Sequence, residues 1–314
     1  MKDEERGCIT GGSLESLIEQ LILPEQFDKN FPLAWILTYR SVITPVMFLC
    51  ELGRHFNRKD PVVQQCICNF IESWIASHYY DLEGDGNTIR SLLAFLDNPI
   101  AKNGFVEDAN RCRTLIRNQM TTKLLPERVI YDSAPPSVLP PDLNFLTLTD
   151  LDDLEIARQL SLIDQAMFKQ IKPREFLNLA WTTNDKEIYA PNISRILARF
   201  DDVVRWVITN IVKLDYPKRP LMLSKFIQIA KHCKNLRNYN GCMQIMTAIE
   251  DSIMLRFDGT WDGLSQKYVP VLLDLRKTLS KANHYQNLKI DLYSKTVACV
   301  PYLRLCFSFL NAKY

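Results

Sequence analysis

Residues 150–181 read DLDDLEIARQLSLIDQAMFKQIKPREFLNLAW. Apolar residues return at Leu154, Ala157, Leu160, Met167 and Ile171, and the inward position between them falls on Ile163 or Asp164. A three-to-four-residue period marks one apolar face of a helix. Asp150, Asp152, Asp153 and Glu155 crowd the first turn, where negative charge suits the helix dipole. Lys169 and Lys172 sit at the far end, and Pro173 stops the helix. The pattern alone describes a scaffold helix, with no nucleophile, metal box or phosphate loop.

Helical periods run through the rest of the chain as well. Glycine is scarce, at 10 residues, and neither alternating strands nor a fixed-period repeat occurs. The first predicted helix spans 12–21, with Ser13 able to cap it. Residues 31–56 are broken by Thr38 to Ser41, and Thr44-Pro45 opens a second helix with proline in its first turn. An amphipathic helix over 62–76 carries Trp74, residues 81–87 form an acidic loop, and helices over 89–96 and 108–120 complete this half. Residues 123–144 hold Pro126, Pro135, Pro136, Pro140 and Pro141. They read as an extended, semi-rigid spacer in preference to a ligand for a proline-binding module. Beyond the opening helix, 181–186 is a polar break. Ile196, Leu197, Phe200, Val203, Val204, Val207, Ile208 and Ile211 then recur at helical spacing over 193–214. A helix over 221–236 ends in the Arg-Asn-Tyr-Asn-Gly turn of 237–241, and a new helix begins at Cys242.

Composition narrows the function classes. The 314 residues allow two ordinary domains, and 47% hydrophobic with 24% charged residues fits a globular chain with a real core. The net charge is +2 with Lys and Arg scattered, so no nucleic-acid footprint is present. No apolar run reaches the ~18 residues of a transmembrane segment, and the start, MKDEERGCITGG, lacks a signal-peptide core. These features lead us to expect a cytoplasmic chain. Its nine cysteines read as reduced, partly buried thiols. Cys66-x-Cys68 has no second pair to complete a zinc site, and His55, His78, His232 and His284 form no ligand motif. No G-x-S-x-G, H-E-x-x-H or G-x-x-x-x-G-K-[ST] occurs, and Asp152 and Asp153 have no opposing carboxylate. The expectation is no covalent catalysis, no metal and no cofactor.

The wording of several blocks adds what periodicity cannot. The opening stretch resembles the start of the catalytic domain of RasGEFs, the guanine-nucleotide exchange factors for Ras-like GTPases, which reads D-x-x-EIA-x-QLTLI-x-x-x-LF-x-x-I-x-P-x-E-L followed by tryptophan. The blocks APNISRILARFDDVVRWV (190–207), KFIQIAKHCKNLRNYNG (225–241), Asn283-His284-Tyr285 and Cys299-Val300-Pro301-Tyr302-Leu303 follow in the family's order. Arg256 and Trp261 stand where the family has a recurring arginine and tryptophan. Upstream, SLESLIEQL, LTYRSVITP and the Trp-Ile-x-x-His helix before the acidic loop resemble the Ras exchanger motif domain that buttresses the catalytic domain. The resemblance implies an all-α fold of two helical domains, a small exchanger-motif bundle over 12–122 packed on a RasGEF catalytic domain over 149–314. The proline-rich linker, 123–148, joins them.

The resemblance also implies the partner and the site. The partner is a Ras-like small GTPase of Ras, Rap or Ral type, met at the plasma membrane, and the activity is release of its GDP without covalent chemistry. The alternative is a module that docks on the GTPase without opening it. The side chains gripping switch 2 match Leu197, Ala198 and Arg199, then Ala230 and Arg237, then His284, Tyr285 and Tyr302. From the residues themselves, Leu197 and Ala230 read as core and Arg256 as an internal ion-pair or cap residue, whereas Arg237, His284 and Tyr285 stand in polar text. Three departures stand out: Ala198 replaces an acidic residue, Arg237 the usual Asn, and Arg304 a frequent Gly. After Leu303 the text leaves the family pattern, and a helical hairpin with closing helices, about 60 to 90 residues by typical domain size, is missing. The expectation is therefore impaired exchange and an uncovered apolar patch along 297–310.

Overall fold

The computed structural model describes residues 2–3, 7–23, 28–82, 86–122, 147–294 and 297–311. The proline-rich linker lies outside these residues. Apart from an antiparallel pairing of Lys2–Asp3 with Cys8–Ile9, the described elements are helices, so the fold is all-α. The α-helices are α1 (Leu14–Leu21), α2 (Phe31–Thr38), α3 (Pro45–Phe56), α4 (Pro61–His78), α5 (Gly86–Phe95), α6 (Val106–Thr122), α7 (Asp153–Lys169), α8 (Lys186–Tyr189) and α9 (Pro191–Val212). They continue with α10 (Arg219–Asn235), α11 (Tyr239–Ile249), α12 (Ser252–Leu255), α13 (Asp258–Asp262), α14 (Val269–Leu279), α15 (Ala282–Tyr293) and α16 (Leu303–Asn311). No described helix is long and apolar enough to cross a membrane.

Two compact units emerge. One comprises the described residues of Met1–Tyr131 and Lys172–Ala190; the other comprises those of Asp132–Ile171 and Pro191–Tyr314. In the first unit the caps follow the sequence. The Ser13 hydroxyl accepts from the Ser16 N–H at 3.3 Å, Thr44 accepts from Met47, and Pro45 occupies the first turn of α3. The core is aromatic: the Trp74 ring meets Phe48 at 5.4 Å and Tyr39 edge-on at 5.6 Å. Asp81, expected in a solvated loop, is instead 3% exposed. It accepts from the Tyr39 hydroxyl, the Arg40 guanidinium and the Trp74 indole N–H. Burial and the Asp81 carboxylate together hold the Tyr39 hydroxyl far above its ordinary pKa. The 172–190 segment belongs here because Arg174 donates to the Tyr80 carbonyl at 3.0 Å and the Lys172 ammonium lies over the Tyr80 ring. The expected polar break over 181–186 ends where the short helix α8 begins, at Lys186.

The second unit is built around α11. Every residue from Tyr239 to Met246 is buried, so this helix is enclosed on all sides by α7, α9, α10 and α14. Burying each large apolar side chain contributes roughly 1.5–3 kcal/mol before entropy is counted. On α7 the Asp152 carboxylate caps the helix by accepting from Leu154 and Glu155. Lys225 of α10 donates to the Leu151 carbonyl and the Asp153 carboxylate, both at 2.6 Å. The inward position left open between Ile163 and Asp164 belongs to the acid: Asp164 is 4% exposed and Ile163 42%. The turn expected over 237–241 is shorter than its text, since α11 already begins at Tyr239. Val300, Tyr302, Leu303, Leu305 and Phe307 are buried, so the expected open patch does not form at these five positions. The side chains of 308–310 lie outside the described residues.

Candidate functional site

Helix α9 supplies the first wall. Its inward stripe is Ile193, Ile196, Phe200, Val203, Val207 and Ile211. At 100° per residue, Leu197 and Arg199 flank opposite edges of that stripe, and both are half-buried. Ala198 faces solvent. Phe200 packs on Tyr302 at 5.9 Å, and Tyr302 meets Tyr285 edge-on at 5.9 Å. These rings come from three separate segments: α9, the residues just before α16, and the start of α15. Tyr285 is half-buried and packs against the core, whereas Tyr302 is 7% exposed. Burial, followed by the neighbouring Tyr285 hydroxyl, pushes Tyr302 up to about 12. Arg304 is exposed and lies over the Phe200 ring at 5.6 Å.

The entry to α15 is unusual backbone. Asn283, His284 and Tyr285 have φ of 50°, 55° and 60°, three consecutive left-handed residues, none of them glycine. Such residues cost roughly 1–2 kcal/mol each, and only surrounding contacts keep them there. His284 stands exposed on this turn. Asn283 donates to the Gln286 side chain at 3.3 Å.

Beneath the aromatic chain lies a polar hub. Asp164 accepts from the Asn238 amide at 3.0 Å and pairs with the Arg199 guanidinium at 3.5 Å. Burial raises the Asp164 pKa; bonds from Asn238 and Asn240 and the Arg199 charge pull it back. Asn238 also accepts the Gly241 N–H at 2.8 Å, capping α11. A β-carbon at Gly241 would sit 2.6 Å from the Asn238 amide nitrogen and 3.3 Å from an Asp164 oxygen, so this close approach demands glycine. The backbone of the turn holds the strand-like segment at Val300: Tyr239 donates to the Val300 carbonyl at 2.9 Å, and Val300 donates back to Arg237 at 3.0 Å.

Tyr285 and Tyr302 of the expected set are thus brought together, Arg237 is joined to Tyr302's segment through Val300, and Arg199 pairs with Asp164. Leu197 borders the same helix face and His284 the same turn. Ala230 is fully buried inside α10 and offers no surface. Arg256 is exposed and its residue caps α12. Asp164 and Asn238 organise the site but were not foreseen; the signal was an acid standing where the helical stripe of α7 demands an inward residue. Among the described residues no cluster of His, Cys, Asp or Glu could hold a metal ion, and all nine cysteines are free.

The described residues thus form an all-α fold in which Phe200, Tyr302 and Tyr285, from three separate segments, meet ring to ring. Residues 155–312 match the RasGEF domain and residues 8–95 the RasGEF N-terminal motif, and the chain belongs to the RasGEF family. Among its relatives in Dictyostelium discoideum, Ras guanine nucleotide exchange factor Y is 33% identical over 76% of this chain and 17% of its own length. Factor P is 27% identical over 96% of this chain and 22% of its own length, and factor A is 29% identical over 96% and 51%. The chain therefore spans about half the length of factor A and a quarter or less of the other two.

Proposed function

We propose that this chain is a guanine-nucleotide exchange factor for a Ras-like small GTPase of Ras, Rap or Ral type. The observation that carries the reading is the Phe200–Tyr302–Tyr285 aromatic chain with Arg199 and His284 at its edges. The buried rings of Phe200 and Tyr302 back the half-buried Tyr285, and tyrosine and arginine are residue types that often anchor interfaces. All three rings lie within the RasGEF match.

Arg199, His284, Tyr285 and Leu197 take the contact roles, and Tyr302 supports Tyr285 from beneath. Exchange needs no bond made or broken by the chain. A surface that binds the nucleotide-free GTPase more tightly than the nucleotide-bound form promotes GDP release, because the two ligands are coupled through one protein. Arg199 suits an acidic switch segment, since its side chain stays 26% exposed while Nε lies 3.5 Å from Asp164. The test is capture of Ras, Rap and Ral on the immobilised chain in nucleotide-free and GDP-loaded forms, with release of a fluorescent GDP analogue followed in parallel. The nucleotide-free form should bind preferentially, added GDP or GTP should elute it, and analogue release should accelerate. Equal capture of both forms overturns the reading. Preferential capture without faster release identifies a GTPase-docking module instead.

A further inference from the structure

Arg237 occupies a position that its own backbone disfavours. It follows the last residues of α10 with φ of 59°, and its N–H donates to the Lys234 carbonyl at 2.9 Å. This is the left-handed residue that ends a helix, a place suited to Gly or Asn and costly for Arg. The side chain accounts for the choice. One guanidinium nitrogen donates to the Leu292 carbonyl at 3.0 Å and another approaches the Asp291 carbonyl at 3.5 Å. These carbonyls belong to the last turn of α15, where the helix dipole favours a cation; the Ser294 hydroxyl also donates to the Asp291 carbonyl at 2.9 Å. Tyr239 lies under the same guanidinium at 5.7 Å. Burial and the nearby Asp291 carboxylate push its hydroxyl up to about 12. The Arg237 carbonyl meanwhile accepts the Val300 N–H, two residues before Tyr302.

From this geometry we propose that Arg237 is a positioning residue and not a partner contact: its guanidinium clamps the end of the helix that carries Tyr285, and its backbone carbonyl anchors the segment that carries Tyr302. The inference rests on the docking role proposed for those two tyrosines. One residue thereby ties the end of α15 to the Val300 segment, the two pieces of chain that carry the paired rings. Asn would suit the left-handed backbone but is too short to reach the α15 carbonyls, so Arg trades backbone comfort for a clamp.

The experiment compares the unaltered chain with Arg237→Asn, Arg237→Lys and Arg237→Ala. Asn keeps the left-handed turn comfortable, so Arg237→Asn should fold with an unchanged or higher Tm. It should nevertheless show faster amide exchange over 288–294 and weaker ring-to-ring NMR contacts between Tyr285 and Tyr302. Arg237→Lys, which keeps a cation at the helix end, should restore much of the protection. Affinity for nucleotide-free Ras should fall roughly tenfold in Arg237→Asn, and the Arg237→Asn, Tyr285→Ala double variant should bind no worse than Tyr285→Ala alone. Unchanged exchange at the α15 end, or unchanged tyrosine contacts, overturns the proposal. A loss that adds in full to that of Tyr285→Ala also overturns it, because Arg237 would then touch the partner directly. If the unaltered chain binds no Ras-like GTPase, the docking role fails, and the exchange and ring-contact measurements still decide the clamp.

Discussion

At the scale of single residues, exposure and support divide the labour. Tyr285 is half out of the core and held by Tyr302, the arrangement of an interface anchor. Tyr285→Ala should weaken binding of nucleotide-free GTPase by about 1–3 kcal/mol with an unchanged helical circular-dichroism spectrum. Loss of the helical signal would instead make Tyr285 a core residue. Asp81 shows the opposite case, a charge with a purely structural task. Its removal would strand the Tyr39 hydroxyl and the Trp74 indole inside the first unit and leave the Arg40 guanidinium without its carboxylate. Asp81→Ala should therefore destabilise by about 3–5 kcal/mol, the cost of breaking a buried pair. A denaturation midpoint shifted by less than about 1 kcal/mol would mean that water reaches the hub and replaces the carboxylate. Neither role is visible in the text at Asp81, because its acidic, glycine-containing surroundings look like any solvated loop.

At the scale of elements, the junction between α10 and α11 matters most. Its turn caps α11, pairs with Val300 and places Asn238 on Asp164, all within five residues. Gly241 permits this by leaving the space its β-carbon would fill. Gly241→Ala should force Asn238 off Asp164. Although alanine favours a helix by about 1 kcal/mol over glycine, the variant should melt earlier and bind a Ras-like GTPase more weakly. A higher Tm with full binding would show that the turn yields without consequence. The helix periods themselves were legible: α3, α4, α7, α9 and α10 stand close to their predicted spans because apolar spacing and caps are local signals. The start of α11 was misjudged by three residues, because Asn and Gly signal a turn in isolation while here they cap and pack a helix.

At the scale of the whole molecule, packing and family boundaries differ. Residues 172–190 lie within the RasGEF match yet pack in the unit that holds the N-terminal motif. The two units should also answer acid differently. His55 and His78 both belong to the first unit, and burial lowers both of their pKa values from 6.5, with Arg58 adding to the effect at His55. Nearby Glu19, Glu15 and Glu51 oppose it at His55, as Asp81 does at His78. The unfolded chain then binds protons that the folded unit refuses, so this stability is complete above pH 6.5 and declines as pH falls below it. Asp164 in the second unit carries a raised pKa and the opposite sign: acid relieves the cost of its buried charge. Amide exchange in α3 and α4 should therefore rise, after correction for intrinsic rate, between pH 7.5 and 5.5. The His55→Gln, His78→Gln double variant should flatten that rise; the same rise in the double variant would place the acid sensitivity elsewhere.

The amino-acid sequence by itself determined the helical class, the cap at Ser13, the helix start at Thr44-Pro45, the acidic first turn of α7, and the order of blocks that marks the family. Each is carried by residues within a few positions of one another or by matching text. Tertiary structure alone decided that Asp81 and Asp164 are buried hubs and that Arg237 reaches the end of α15. Those outcomes depend on which distant segments meet: a carboxylate or guanidinium is solvated or paired according to partners 40 to 75 positions away, and no local pattern encodes that meeting.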